Sequence, residues 1–172
     1  MRRLIAALAL LTFVVLVPAG CRRKKKASAR EDGLASMINV ADPADSPQLV
    51  RGFSSVEADA WRWSTSRFSV VLRPPLGSAQ NGAKLELTFT LHPGVVGKLG
   101  PITVSATVNG TAVGSETYSE AGDFVYSHEV PASALGSDVV TVEFSTDKAL
   151  APTDKDKREL ALIVKTIGFV GK

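Results

Sequence analysis

The sequence predicts an all-β protein, an antiparallel β-sandwich of about eight or nine strands behind an N-terminal apolar leader helix. Three observations predict it. From Leu49 onward apolar residues recur with a period of two, the spacing that puts alternate side chains on opposite faces of a strand. Glycine, proline and asparagine interrupt these runs at short intervals, and no long stretch carries the three-to-four-residue period of an amphipathic helix.

In chain order, Phe68, Val70 and Leu72 alternate with Arg67, Ser69, Val71 and Arg73. Leu85, Leu87, Phe89 and Leu91 alternate with Glu86, Thr88 and Thr90, the clearest half-buried strand in the chain. Ile102, Val104, Ala106 and Val108 alternate with Thr103, Ser105 and Thr107, and Asn109-Gly110 follows as a hairpin signal, with the return strand starting at Ala112-Val113. Further strands are expected over 124–130, 139–145 and 160–170, and a single helical turn over Pro131-Ala-Ser-Ala-Leu135. Breaks fall at Pro74-Pro75, Asn81-Gly82, His92-Pro93-Gly94, Gly97 to Pro101, Ala121-Gly122, Gly136 and Ala151-Pro152.

Ahead of the domain, residues 1–21 read as an export leader: Arg2-Arg3, then an uncharged run from Leu4 to Cys21. Cys21 is the only cysteine. Ala19-Gly20-Cys21 resembles the lipobox of bacterial lipoproteins, which implies cleavage before Cys21 and a diacylglycerol on its thiol; Pro18 stands where that family prefers leucine. The competing reading is an uncleaved transmembrane helix, because the run approaches the roughly 17–25 residues needed to span and Arg22 to Lys26 form a stop-transfer-like flank. In the lipidated alternative the same cations sit at anionic headgroups. A lone thiol suits an exported domain without a disulfide framework.

Residues 22–48 are expected to be a basic cluster and a tether with little fixed structure, with Leu34 to Val40 as a helical turn or short strand, and residues 49–172 to be the sandwich. Charge follows the same division. Residues 1–47 hold eight basic and four acidic side chains, and the remainder twelve and thirteen, so the domain itself is close to neutral. That removes the electrostatic footing for nucleic-acid binding.

The order of pieces in the domain carries a resemblance. Gly52-Phe53, Glu57 and Arg62-Trp63-Ser64 precede Val104-Ser-Ala-Thr-Val-Asn-Gly110, then Val130-Pro131, then Asp156-Lys-Arg158-Glu-Leu-Ala-Leu162. Over residues 49–170 this resembles the jelly-roll, carbohydrate-binding-module-like domains attached to bacterial glycosyltransferases and other surface-polysaccharide proteins. Ala161 stands where that pattern has glycine, and Trp61 is additional to it. The resemblance implies a sandwich fold and a polysaccharide partner.

The ligand-binding candidates are Trp61, Arg62, Glu57, Trp63 and Arg158. Two tryptophans two residues apart share one face of a strand, with Arg62 on the other. Facing solvent they form an aromatic platform for a sugar ring; facing inward they are core, since indole carries a large apolar area. Glu57 and Arg158, distant in sequence, would meet as an ion pair joining the first and last strands or as a polar site beside Trp63. Asp154-Lys-Asp156 has a superficial calcium-loop look, but its flanking lysines and few oxygens favour a solvated turn. No cofactor or metal site is predicted. His92 and His128 have no nucleophile in a recognisable setting, so no enzyme is expected.

The expected protein is a non-catalytic module of the cell envelope, anchored by lipid at Cys21 or by a single transmembrane helix. Two functions compete: weak glycan binding, or holding a protein partner in an envelope or polysaccharide-export complex. Exposure of Trp61 discriminates them, a wide apolar patch favouring a protein partner.

Overall fold

A computed structural model describes residues 33–172; the leader, Cys21 and the basic cluster lie outside the described residues. Nine strands form the fold: β1 (Met37–Asn39), β2 (Leu49–Phe53), β3 (Arg62–Leu72), β4 (Ala83–Leu91), β5 (Ile102–Val108), β6 (Thr111–Tyr118), β7 (Gly122–Val130), β8 (Val140–Thr146) and β9 (Ile163–Gly171). Two short helices, α1 (Ser78–Asn81) and α2 (Pro93–Leu99), punctuate the loops. Every strand pair is antiparallel, and the strands run in the order β6-β5-β8-β3-β9-β4-β7, with β1 beside β9 and β2 beside β3.

The long strand β3 makes this a sandwich. Its first residues pair with β9, Arg62 opposite Val164 and Trp63 opposite Ile163. Its second half, Arg67 to Leu72, pairs with β8. One strand therefore serves both sheets, and the polar run Ser64-Thr65-Ser66 marks the crossing, where period-two alternation lapses. Ser64 there takes over the pairing, donating its N–H to Leu162 O at 2.8 Å and accepting the Leu162 N–H on Oγ at 3.2 Å.

The alternation read from sequence gives the two inner faces. Phe68, Val70 and Leu72 of β3, Leu85, Leu87, Phe89 and Leu91 of β4, and Ile102, Val104, Ala106 and Val108 of β5 are all buried. Phe68 stacks on Phe144 at 5.1 Å and receives the edge of Phe53 at 5.4 Å, which ties β2, β3 and β8 together. Asn109-Gly110 closes β5 onto β6 as a two-residue turn, with both residues at positive φ. At the far edge Tyr126 donates its hydroxyl to Gly114 O at 2.8 Å, linking β7 to β6, and burial pushes its pKa up to about 12.

Two local expectations differ from the fold, and a third is met. The tether expected through residue 48 ends much earlier. Met37–Asn39 add to β9, Ile38 and Val40 enter the core, and Gln48 fixes the segment by bonding both Ala35 and Val71 O. The expected break around His92-Pro93-Gly94 is instead the start of α2, with Pro93 in the first turn, where no N–H is needed, and His92 Nδ1 capping Gly94 N–H at 3.0 Å. The expected turn at 131–135 forms as a 3-10 turn over Ala132–Ala134.

Candidate functional site

The candidate residues gather where β3 begins. Glu57 and Trp61 pair across a tight turn, with Glu57 N–H donating to Trp61 O at 2.9 Å and Ala60 N–H to Glu57 O at 3.1 Å. Ala58 and Asp59 both take positive φ there, an unusual conformation for two non-glycine residues. This turn swings Trp61 out of the regular strand, so it is partly buried, while Trp63, two residues on, is buried. The indoles meet edge to face at 6.1 Å and 87°, and the far side of Trp63 meets His92 at 5.7 Å. An aromatic ledge therefore runs from the start of β3 to the end of β4, with Trp63 buried between a partly exposed Trp61 and an exposed His92.

Beside the ledge sits a charge cluster. The Arg158 guanidinium donates to Glu57 on one side and to Asp156 on the other, through Nε to Oδ1 at 2.9 Å and through an outer nitrogen to Oδ2 at 2.8 Å. The Asp156 contact is the planar fork that a guanidinium and a carboxylate share. Hydrogen bonds from the Arg158 side chain and its own backbone N–H hold the Asp156 pKa down to about 2, and hydrogen bonds to Asp156 and Glu57 push Arg158 up. The three side chains each keep about a third or more of their surface exposed. Their outer lone pairs and N–H groups are open to a ligand.

Between the ledge and the cluster lies a shallow hollow of about 300 Å³, lined by Phe53, Ser54, Trp63, Thr65, Arg158 and Glu159, with Gly52 at its rim. Glu159 is turned partly inward and accepts the Ser66 N–H at 2.8 Å. The wall of the hollow is therefore aromatic on one side and carries hydroxyl, carboxylate and guanidinium groups on the other.

Four of the five predicted residues, Glu57, Trp61, Trp63 and Arg158, come together at this end. Arg62 points the other way and is fully engaged. It donates to Val40 O at 2.7 Å, to Ser54 O at 2.8 Å and to Ser46 Oγ at 3.4 Å, clamping the entering chain to β3. Asp156 completes the cluster, and sequence reading placed it in a solvated turn; the Asp-x-Arg spacing was its only signal. Asp154 faces solvent with Lys157 at 3.2 Å. Among the described residues no group of three or more histidine, cysteine or acidic side chains is placed to hold a metal ion.

No family model matches the chain, and no curated protein does. Solved structures similar to it include a carbohydrate-binding module, CBM36, in complex with calcium and xylotriose (TM-score 0.43, 11% identity, covering 78% of this chain and 98% of that one). Another is the CBM36-1 domain of a multidomain xylanase from the hindgut metagenome of Trinervitermes trinervoides (0.40, 10%, 72% and 88%). A third is an acetyl xylan esterase, Est2A, from the rumen bacterium Butyrivibrio proteoclasticus (0.46, 12%, 81% of this chain but 33% of that one). What this chain binds has to be read from its own side chains.

Proposed function

We propose that the chain is a non-catalytic, membrane-anchored module of the cell envelope that binds glycan weakly at the Trp61 end of the sandwich. The observation that carries this reading is the partly exposed Trp61, paired with Glu57 of a carboxylate–guanidinium–carboxylate cluster whose Arg158 also lines a shallow hollow with Phe53, Trp63 and Glu159. Sugars present an apolar face of C–H groups and a rim of hydroxyls. An indole suits the first, and fixed charged acceptors and donors suit the second. With two carboxylates around one guanidinium, the cluster offers more acceptor than donor capacity, which fits neutral, hydroxyl-rich chains better than acidic ones.

Affinity is expected to be low. The hollow is shallow, only part of one indole is exposed, and a near-neutral domain cannot gather ligand through long-range charge. Anchoring at Cys21 after cleavage, or by an uncleaved apolar helix, would hold many copies at one surface, where weak sites act together. Retention of the protein on the cell's own polysaccharide, compared between wild type and Trp61→Ala, tests the reading. A folded Trp61→Ala variant that is retained as well as wild type moves the function to a protein partner in an envelope complex.

A further inference from the structure

The two ends of the sandwich differ in what they expose. β3 carries the chain from Trp63 to Leu72, and β9 runs from Ile163, opposite Trp63, to Gly171, opposite Ala83 and close to Pro75 in the loop after β3. Eleven residues of β3 set the ends about 33 Å apart. At the end away from Trp61, the loop Pro74-Pro75-Leu76-Gly77 leaves Leu76 fully exposed. Val139, which precedes the residue paired with Leu72, and Val170, opposite Lys84, are exposed at the same end. These account for three of the six large apolar side chains exposed among the described residues.

The chain also enters at this end. Ala35 O accepts the Arg73 N–H at 3.1 Å, and Gly33 lies so close to the Arg73 guanidinium that a Cβ there would fall 2.2 Å from it. Arg73, Lys84 and Lys172 stand here against Glu129, which pairs with Lys172 at 2.6 Å, and Asp138. Eleven residues, 22–32, separate Cys21 from Gly33, and they begin with the five cations Arg22 to Lys26. Even fully extended they reach about 40 Å.

We infer that the Pro74–Gly77 loop is a lipid-facing tip, with Leu76 seated among the headgroups of an anionic bilayer. The inference rests on the membrane anchoring proposed above. An anchor attached beside Arg73 favours this end near the membrane, since the reverse orientation needs the eleven-residue tether almost fully extended, and its cations draw the surface toward anionic lipid. Two adjacent prolines fix the approach of the loop, so an exposed leucine is held outward at little further entropic cost. The hollow beside Trp63 then faces away from the membrane, toward glycan.

The test places the photoreactive residue p-benzoylphenylalanine at position 76, or at position 59 in the Trp61 turn, in the full chain. Each protein is reconstituted in vesicles of phosphatidylcholine and phosphatidylglycerol, floated, and illuminated. Flotation reports the anchor, and lipid adducts report the tip. The expected result is flotation of both proteins, with lipid adducts several-fold more abundant from position 76, and fewer of them in vesicles of phosphatidylcholine alone. Flotation with equal or no adducts from position 76 overturns the tip while leaving the anchor intact. Adducts from position 76 to a second copy of the chain overturn it in favour of self-association. Failure to float overturns both.

Discussion

Glu57 and Arg158, separated by 101 residues of sequence, are joined as an ion pair that closes the start of the sandwich onto its end. Asp156 braces the same guanidinium from the other side. The arrangement is at once a tie and a polar surface beside the tryptophans.

As a tie, it is partly solvent-exposed, so screening limits its worth. Glu57→Ala is expected to lower stability by about 1 kcal/mol or less. Arg158→Ala, which frees two carboxylates at once, is expected to cost more than Glu57→Ala. Urea midpoints of the two variants check this, and both losses should shrink in high salt. Equal losses, unaffected by salt, would put the tie's strength elsewhere.

Acid should act through Asp156. Its pKa is about 2 in the fold against roughly 3.9 in an unfolded chain, so between these values the unfolded state binds more protons. The stability it contributes is present above about pH 4 and is lost as pH falls through about 2. Thermal midpoints measured from pH 5 to pH 2 should fall less steeply in Asp156→Asn than in wild type. Parallel slopes would assign acid sensitivity to other carboxylates.

The inner face of β4 allows a sharper test of register. Leu87 is fully buried between the sheets, and Leu87→Ala should destabilise by about 2–5 kcal/mol, through lost burial and the cavity left behind. A loss under about 1 kcal/mol in chemical denaturation would mean that the face collapses around the gap, contrary to the packing described.

Most strands were legible because alternation is a direct consequence of a sheet with one wet face, as Leu85 to Leu91 and Ile102 to Val108 show. β1 was harder to see. Three residues with one inward side chain, Ile38, carry no period, and only their pairing with β9 makes them a strand. α2 was hidden by Pro93, Gly94 and Gly97, which read as turn residues although proline is well suited to a first helical turn. At the site, residue type alone could not separate Trp61 from Trp63. The positive-φ turn at Ala58-Asp59 decides which indole is left partly exposed, and Asp156 joins the cluster only through the path of the 147–162 loop.

The anchor makes its own prediction. If Cys21 is lipidated, Cys21→Ser abolishes acyl labelling and leaves an uncleaved or soluble product, seen by mass and by membrane fractionation. Unchanged mass and unchanged membrane retention would instead support a transmembrane leader.

The most direct test of the central claim is binding of the cell's own polysaccharide by wild type and by Trp61→Ala, each first shown to be folded by its thermal transition. Trp61 is only partly buried and lies outside the regular strand, so its loss should leave the transition cooperative. Wild type is expected to bind with a dissociation constant near the millimolar end, about 1 mM, and Trp61→Ala to show no measurable retention. Equal retention by the two proteins, no retention by wild type, or unfolding of Trp61→Ala would contradict a glycan site built on this indole.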